Sequence, residues 1–374
     1  MKLLVLTQKI DLNDDVLGFF NDWLAEMAGH CEQVTAICLY QGKHNLPANV
    51  RLLSLGKESG TSRLKYLYRF YKYIWQERKN YDSVFVHMNQ IYVILGAPLW
   101  RLWRKKIGLW YAHGKVSFSL KVAEKLTDLI FTSTVEGCRL NSNKIRIVGQ
   151  GIDIEKFKVQ SDSDSCHPRP RRARINSSGD PEISSKLKVT GDIFKIITIG
   201  RISPAKDYET LIRAAEILKK ENLRFRIEII GGVGAPEQEK YLSELKKMVA
   251  DLGLGEEVIF AGGIPHEEIM NYLAAANLFA NMSQTGSLDK AILEAMAAGL
   301  SVVTSNEAAV KMLSAFAEQM VFPQKDFRTL AERIKFFIKL SNSERIKYGE
   351  SLRKIVETEH GLKGLIEKII KNYA

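Results

Sequence analysis

The first half of the chain alternates short apolar runs, rich in β-branched and aromatic residues, with longer segments whose apolar residues recur at helical spacing. The short runs predict strands at 3–7, 34–39, 83–87, 107–112, 129–133 and 145–148. The segments between them predict helices at 14–28, 62–78, 92–104, 117–126 and 136–141. Asp14 or Asp15 and Thr61 are the expected N-caps of the first two helices. This alternation is typical of a parallel sheet covered by helices on both faces.

The same alternation restarts in the second half of the chain. It predicts strands at 194–199, 226–231, 258–261, 276–281, 301–304 and 320–322. It predicts helices at 208–220, 237–252, 266–274, 290–298 and 327–340, followed by two more at 343–358 and 362–372. We therefore expect an α/β protein of two doubly wound, Rossmann-like domains, 1–158 and 191–340, that face each other across a ligand cleft. We expect the C-terminal helices, 341–374, to cross back to the first domain.

Between the two predicted domains, residues 159–190 are rich in Ser, Asp, Pro and Arg and almost free of large apolar residues. Such a composition does not bury a core. We expect a flexible linker or insertion there.

The length and composition are those of a globular protein. The chain has 374 residues, of which 45% are hydrophobic, which suits about two domains and excludes a disordered chain. No apolar run reaches the roughly 18 residues of a membrane-spanning helix. The four cysteines show no C-x-x-C spacing, so neither a disulfide scaffold nor a zinc site is indicated. These features favour a cytoplasmic enzyme.

Basic residues exceed acidic ones by 11, and the segment 63–115 alone contributes nine of these charges. Aromatic residues alternate with the cations there, as on a helix that lies on an anionic membrane. The residues that we assign to acceptor or membrane contact are Lys65, Arg69, Lys72, Trp100, Arg101, Trp103 and Arg104, together with His87, which follows a strand. An ordinary helix with its rings in the core and its cations in water remains an alternative for this segment. For His87, which could line the cleft, the alternative is a buried, hydrogen-bonded structural role. Nucleic acid is not expected, because no recognisable nucleic-acid module surrounds these residues.

The candidate ligand-binding residues of the second half lie at two strand-to-helix junctions. After the strand 194–199 come Gly200, Arg201 and Lys206, and a helix then begins with Asp207 at its N-cap. A flexible glycine, two cations and a helix N-terminus together suit a diphosphate.

At the second junction, a loop of small residues from Asn281 leads into the helix 290–298. The first turn of that helix offers free backbone N–H groups to an anion. Glu294 lies one turn further among apolar neighbours, where a carboxylate must be paired or accept hydrogen bonds from a ligand, such as a ribose diol.

These motifs, in this order, resemble those of the retaining glycosyltransferases of family 4, which have the GT-B fold. The resemblance rests on Gly-Arg-x4-Lys at 200–206, Ile-Ile-Gly-Gly at 229–232, Phe-Ala-Gly-Gly at 260–263 and Leu-Glu-Ala-Met-Ala-Ala-Gly at 293–299. It is strong over about 194–340. Over 1–158 it is mainly architectural, with Trp-Tyr-Ala-His-Gly at 110–114 and Gly-Ile-Asp-x3-Phe at 151–157 as the similar fragments.

The resemblance implies a site residue by residue. Arg201 and Lys206 would bind the diphosphate of a UDP-, GDP- or ADP-linked sugar and stabilise it as it departs, Glu294 would bind the ribose, and His113 would lie near the transferred sugar. The remaining donor-binding positions are Gly200, Gly262, Gly263, Ile264, Gly286, Ser287, Leu288, Asp289 and Lys290. A same-face retaining mechanism without a covalent enzyme intermediate follows from the resemblance, and no metal or other cofactor is implied.

Two departures from the family pattern concern specificity. Gly286 stands where the family often has a glutamate that contacts the donor sugar, and Ser287, Leu288 and Asp289 replace the usual Gly-Phe-Gly. We expect Asp289 to replace the missing carboxylate and Lys290 to add a contact to a phosphate or carboxylate. The glycine-rich loop that usually follows the first strand is also absent.

The sequence therefore predicts a retaining glycosyltransferase that moves a sugar to a lipid-linked or polysaccharide acceptor in cell-envelope glycan synthesis. We expect it to be cytoplasmic and peripheral on the inner face of the cell membrane. Two alternatives remain open: a nucleotide-sugar epimerase or hydrolase of the same fold, and a catalytically silent GT-B protein, for which Gly286 is the main argument.

Overall fold

A computed structural model describes residues 1–14, 17–157, 193–265 and 268–373. The linker predicted at 159–190 lies outside these ranges. The limits of the predicted domains stay predictions, since the chain between residues 157 and 193 is not described.

The N-terminal half contains one parallel sheet of seven strands. Its strands are β1 (Lys2–Ile10), β2 (Gln33–Gln41), β3 (Val50–Ser54), β4 (Ser83–His87), β5 (Lys106–Trp110), β6 (Leu129–Thr132) and β7 (Ile145–Ile147). Their order across the sheet is β3-β2-β1-β4-β5-β6-β7. The helices are α1 (Phe20–His30), α2 (Arg63–Gln76), α3 (Gln90–Leu102) and α4 (Phe118–Leu126). Apolar clusters on the two faces of the sheet bury its central strands, as expected for a parallel sheet.

The second half contains a parallel sheet of five strands in the order β10-β9-β8-β11-β12. These strands are β8 (Phe194–Ile199), β9 (Phe225–Ile230), β10 (Val258–Gly262), β11 (Leu278–Asn281) and β12 (Val302–Thr304). The helices up to residue 339 are α5 (Tyr208–Lys220), α6 (Pro236–Asp251), α7 (Ile269–Ala274), α8 (Lys290–Ala297), α9 (Glu307–Met312), α10 (Ala317–Met320) and α11 (Phe327–Lys339). Both halves are thus Rossmann-like, as the alternation predicts.

The last two helices, α12 (Asn342–Glu359) and α13 (Leu362–Tyr373), pack on different halves. Helix α12 packs against α8, whereas α13 packs against α1 in the N-terminal half. The Tyr373 hydroxyl donates to the carbonyl of Val84 at 2.7 Å. Between the two helices, the backbone at Gly361 forms a bridge with Ile152, and the N–H groups of Gly151 and Ile152 both donate to the carbonyl of His360. The two segments that cross between the halves are therefore hydrogen-bonded to each other.

Helix α12 approaches the end of α8 so closely that Gly349 has no room for a side chain. A β-carbon added at Gly349 would lie 1.8 Å from the carbonyl oxygen of Gly299. We expect Gly349→Ala to lower the free energy of unfolding by about 2–3 kcal/mol, because the two helices must separate. Urea unfolding measures this loss. The control is Gly364→Ala on α13, where an added β-carbon meets no atom within 4 Å; an equal stability of the two variants would contradict the prediction.

Three local predictions are wrong, and one strand was not predicted. The edge strand β3 went unpredicted because its side chains are only partly buried. The segment predicted as a helix at 136–141 forms turns instead. The strand predicted at 320–322 is reduced to one bridge between Val321 and Thr304. Helix α1 begins six residues later than predicted, because the Asp14 carboxylate accepts from the N–H of Leu17 at 2.6 Å and closes a separate turn.

The cap of α2 also differs from the prediction by one residue. Ser62, not Thr61, accepts a hydrogen bond from the backbone N–H of Lys65, at 3.4 Å. The Thr61 hydroxyl instead donates to the carbonyl of Gly56 at 2.9 Å. Either residue type can cap a helix, so the sequence alone does not choose between neighbours.

Candidate functional site

A cleft of about 790 Å³ lies between the two halves, and residues from both line it. The carboxyl ends of β8 and β10 and the N-terminus of α8 form its C-terminal wall. Loops that follow β1, β5 and β6 form the opposite wall. The cleft is therefore at the edge where doubly wound sheets bind ligands.

The loop after β8 brings Gly200, Arg201 and Lys206 to the C-terminal wall. The carbonyl of Gly200 accepts a hydrogen bond from the Tyr208 hydroxyl at 2.7 Å, which fixes the end of the strand to α5. A β-carbon at Gly200 would lie 2.8 Å from Cε of Lys206. The glycine thus lets the lysine side chain cross the end of the strand, while Arg201 is exposed.

Asp207 ends this loop in a left-handed backbone conformation, with φ of 49°. Its side chain makes no capping hydrogen bond to the backbone of α5, contrary to the predicted cap. It accepts instead from the Thr210 hydroxyl at 2.8 Å and from Nε2 of Gln284 at 2.9 Å. The backbone N–H of Gln284 also donates to the carbonyl of Ala205, at 2.9 Å. These bonds join the two predicted phosphate loops into one unit.

Lys206 forms an ion pair with Asp289, whose carboxylate also accepts from Nδ2 of Asn281 at 3.0 Å. The Asp289 side chain is largely buried, with 14% of it exposed. Its carboxylate is directed at Lys206 rather than into the open cleft. The expectation that Asp289 supplies the carboxylate missing at Gly286 therefore lacks support in this geometry.

Asn306, which the sequence analysis missed, shapes the loop between β11 and α8. It is fully buried, and its Nδ2 donates to the carbonyls of Thr285 at 3.1 Å and Ser287 at 3.0 Å. These carbonyls are thereby turned into the protein. Its Oδ1 accepts from the N–H of Ala309 at 3.1 Å and caps α9. An Asn directly after a strand and before a helix is a capping signal, and this signal was available in the sequence.

Helix α8 brings Lys290 and Glu294 to the cleft. Nζ of Lys290 lies 3.3 Å from the centre of the Phe19 ring and 3.9 Å from Oε1 of Glu294. Burial lowers the pKa of Lys290 to about 8, although Glu294 and Asp22 oppose the shift. Glu294 is buried, with 5% of its surface exposed, which agrees with the expectation for a carboxylate that is not on an open helix face.

The lowered pKa of Lys290 makes stability depend on pH. Above pH 8 the folded protein has lost this proton, whereas the unfolded chain keeps it up to about 10.5, so folding becomes more favourable as the pH rises through this window. We expect the stability of the wild type to rise by about 2 kcal/mol relative to Lys290→Met between pH 7 and 9.5. Urea unfolding at both pH values measures the difference. Lys246→Met, on an exposed position of α6, should show no such change; parallel pH profiles for Lys290→Met and the wild type would refute the prediction.

His113 and the predicted base-binding segment lie on opposite walls. Nδ1 of His113 accepts from the N–H of Lys115 at 3.2 Å, and its side chain is exposed in the cleft. Gly263 and Ile264, after β10, also line the cleft. Gly262 adopts a left-handed conformation with φ of 78°, and its carbonyl accepts from the N–H of Gly231 at 2.9 Å. Gly262 thus helps to fix the backbone next to the cleft but does not itself line it.

His87 is buried beneath the cleft, which decides between its two predicted roles. Its ring stacks on Phe20 with centroids 4.3 Å apart, and Nδ1 lies 3.3 Å from the Thr7 hydroxyl. Burial, together with nearby Lys290, lowers its pKa to about 3. The assignment of His87 to acceptor contact is therefore wrong in this structure, because the side chain is enclosed by aromatic rings.

Trp100 is also wrongly assigned to an outer surface. It is fully buried on α3 and packs edge-to-face against Phe70, with centroids 6.2 Å apart. Trp103 is partly buried against Trp75. Arg69 is partly buried and donates to the carbonyl of Leu55 at 3.0 Å.

The other predicted surface residues, Lys65, Lys72, Arg101 and Arg104, are exposed. Arg101 also donates to the carbonyl of Lys125 at 2.9 Å. The basic segment therefore contains both buried and exposed rings, and most of its cations are exposed.

More cations than carboxylates line the cleft. Five cations line it, Lys115, Arg139, Arg201, Lys206 and Lys290, against the three carboxylates of Asp289, Glu294 and Glu307. Each carboxylate has one cation within 4 Å: Lys206, Lys290 and Arg139, respectively. Among the described residues, Arg201 and Lys115 have no ion-pair partner. An excess of two positive charges suits a dianionic ligand.

In the described ranges, no group of three or more His, Cys, Asp or Glu side chains could hold a metal ion. The absence of a metal and of other cofactors stays a prediction.

Comparisons with known proteins agree with this arrangement. Residues 180–354 match the sequence model of the family described as Glycosyl transferases group 1. A GDP-mannose-dependent alpha-(1-6)-phosphatidylinositol monomannoside mannosyltransferase of Mycolicibacterium smegmatis is 32% identical over 134 residues, which are 33% of this chain and 34% of that protein. A putative colanic acid biosynthesis glycosyltransferase of Escherichia coli, WcaL, is 25% identical over 221 residues, 57% of this chain and 47% of that protein. The alignments with these two relatives thus span a third to a half of the relatives' length.

Solved structures match the whole chain. Anabaena HepE in complex with UDP has a TM-score of 0.74 at 18% identity, covering 100% of this chain and 99% of that one. Sucrose-phosphate synthase from Thermosynechococcus elongatus has a TM-score of 0.74 at 16% identity, covering 100% and 98%. The predicted fold class, two Rossmann-like domains in the GT-B arrangement, is confirmed. The narrower assignment to family 4 stays a prediction.

Proposed function

We propose that this chain is a glycosyltransferase that takes its sugar from a nucleotide-sugar donor. The observation that carries the proposal is the cationic loop of Arg201 and Lys206, hydrogen-bonded to the loop before α8, on one wall of a cleft between two Rossmann-like domains. The family match over residues 180–354 supports it, because this segment contains both loops.

The diphosphate is assigned to Arg201, Lys206 and the N-terminus of α8. As the bond between sugar and diphosphate breaks, negative charge develops on the diphosphate, and fixed cations with helix N–H groups stabilise that charge. Glu294 accepts hydrogen bonds from the ribose, and the backbone at Gly263 and Ile264 meets the base. His113 faces them across the cleft, on the side of the transferred sugar.

The transfer is proposed to retain the anomeric configuration by a same-face mechanism. Each of the three cleft carboxylates has a cation within 4 Å, so we assign none of them as a nucleophile. The acceptor then attacks from the face that the diphosphate leaves, and the departing diphosphate takes the acceptor's proton.

The acceptor is proposed to be a lipid-linked or polysaccharide glycan of the cell envelope, met at the cytoplasmic face of the membrane. Helix α2 carries a stripe of exposed apolar side chains, Leu64 (80% exposed), Tyr68 (67%) and Trp75 (53%), and the exposed cations Lys65 and Lys72 lie beside it. We call this stripe and its cations the aromatic-basic face. Leu102 on α3 and Phe118 on α4 are further exposed apolar side chains of the N-terminal half. Cations beside exposed rings match an anionic bilayer surface.

The likeness to the M. smegmatis enzyme, whose name gives a phosphatidylinositol monomannoside as its substrate, also favours a lipid-linked acceptor. In the described part of the chain, we find no helix with the length and hydropathy needed to traverse a bilayer.

A donor screen by thermal shift tests the proposed function. The probes are UDP-glucose, GDP-mannose and ADP-glucose, and at a hundredfold excess over Kd the true donor stabilises the protein by about 2.7 kcal/mol. Product analysis with the donor that binds then separates the activities: a glycoside supports the proposal, whereas free sugar or an epimer without glycoside supports the hydrolase or epimerase alternative. No stabilisation by any nucleotide sugar would favour a catalytically silent protein.

A further inference from the structure

An ion pair in the cleft lining joins the two halves of the chain. Nη2 of Arg139, in the loop after β6, lies 2.7 Å from Oε2 of Glu307, the first residue of α9. From this pair we infer that Glu307, oriented by Arg139, accepts hydrogen bonds from the hydroxyls of the transferred sugar. This assignment rests on the proposed function and deepens it.

Gly286 leaves room for the Arg139 guanidinium that holds the Glu307 carboxylate. A β-carbon added at Gly286 would lie 2.7 Å from Nη2 of Arg139 and 3.7 Å from Oε2 of Glu307. A β-carbon added at Gly114 would lie 3.6 Å from Nε of Arg139 and 3.6 Å from the carbonyl carbon of Gly286. Two glycines from opposite domains thus surround the ion pair, and neither adds a side chain that would cover it.

The sugar has to reach this point because of where the diphosphate lies. With the diphosphate on Arg201, Lys206 and α8, the sugar bonded to it occupies the part of the cleft that remains beyond α8. The same cleft is lined by His113, Gly114, Arg139, Gly286 and Glu307, of which the last four lie close together. Gly114 and Gly286 bring the two domain walls into close contact here, so the sugar would lie beside these glycines, next to Glu307.

Of the three cleft carboxylates, Glu307 is the one available for the sugar. Asp289 is directed at Lys206 and Asn281, and Glu294 is buried beside Lys290. The Glu307 side chain is 55% exposed, and its second oxygen, Oε1, has no hydrogen-bond partner in the described part of the chain. Sugar hydroxyls both donate and accept, so a carboxylate held by a guanidinium offers a matched pair of groups.

A second interdomain ion pair provides the control for this assignment. Nζ of Lys311 lies 2.5 Å from Oε1 of Glu136, one turn of α9 further along. Neither residue lines the cleft. Glu136→Gln therefore breaks a contact between the domains without removing a group from the sugar site.

The test measures affinity by calorimetry with two probes: the nucleotide sugar identified in the donor screen and the same nucleoside diphosphate without sugar. Loss of a hydrogen bond to a charged group predicts that Glu307→Gln binds the nucleotide sugar about 10–100-fold more weakly, with the diphosphate affected less than twofold. Glu136→Gln should leave both affinities within twofold of the wild type.

Rescue provides the second readout. In Glu307→Ala, the additional change Gly286→Glu returns a carboxylate to the same space, since only the flexible end of Arg139 has to move. We expect the double variant to bind the nucleotide sugar at least tenfold more tightly than Glu307→Ala alone. If Glu307→Gln lowers the affinity for both probes equally, or for neither, the assignment is overturned while the proposed function stands. A wild type that binds no nucleotide sugar overturns both.

Discussion

Replacing Arg201 with alanine is expected to lower kcat/KM for glycosyl transfer by about 10²–10³-fold, because a fixed cation at the departing diphosphate is lost. Arg201 is exposed at the end of β8 and has no ion-pair partner among the described residues. Its removal should therefore leave the unfolding midpoint unchanged. Steady-state transfer with the identified donor measures the effect.

Lys206→Ala is expected to lower transfer by at least as much as Arg201→Ala. The substitution removes a cation and also leaves the largely buried Asp289 carboxylate with only Asn281 as a described partner. Lys246→Ala, at an exposed position of α6, is the control and should retain wild-type activity. Wild-type rates in both Arg201→Ala and Lys206→Ala would refute the diphosphate assignment.

The second large effect concerns the aromatic-basic face of α2. The triple variant Leu64→Ser/Tyr68→Ser/Trp75→Ser is expected to bind anionic vesicles of phosphatidylglycerol and phosphatidylcholine at least about 100-fold more weakly than the wild type. Each side chain is more than half exposed, so little packing is lost in the protein, whereas each would bury apolar area in the bilayer. Co-sedimentation with vesicles measures the partition.

Its matched control removes exposed apolar side chains elsewhere, in Ile147→Ser/Ile193→Ser/Ile346→Ser. This variant should partition like the wild type. Binding of the wild type should weaken as salt is raised and on vesicles of phosphatidylcholine alone, because the cations of α2 require anionic headgroups. Equal partition of the wild type and the α2 variant would exclude this face as the membrane contact.

The alternation of strands and helices was sufficient to predict both Rossmann-like domains, because parallel sheets that are buried on both faces leave continuous apolar runs. The diphosphate loop was also predictable, since Gly200, Arg201 and Lys206 are close in sequence as well as in space. Exposed positions were harder to predict. In the α2–α3 segment, a ring at helical spacing can face either the core or water, and Trp100 faces the core whereas Trp75 does not.

The other wall of the cleft could not be predicted, because it depends on contacts between residues that are far apart in sequence. Arg139 and Glu307 are 168 positions apart, and no local pattern links them. The segment around Arg139 was predicted to be helical, but the N–H of Gly137 donates to the carbonyl of Thr134 and the chain turns there. This turn presents Arg139 to the cleft, and only the packing of the two domains determines it.

The position of α13 has a consequence for how the chain folds during synthesis. The seven-stranded sheet of the N-terminal half ends with β7, yet the core on one of its faces also includes Leu365, Ile366, Ile369 and Tyr373 from α13. A ribosome would release the N-terminal half with this face of its sheet covered by α1 but not yet by α13, and the place of α13 would stay open while the second half was made. The N-terminal half thus completes its core only after residues 362–373 have emerged, so the domain made first is the one that finishes folding last.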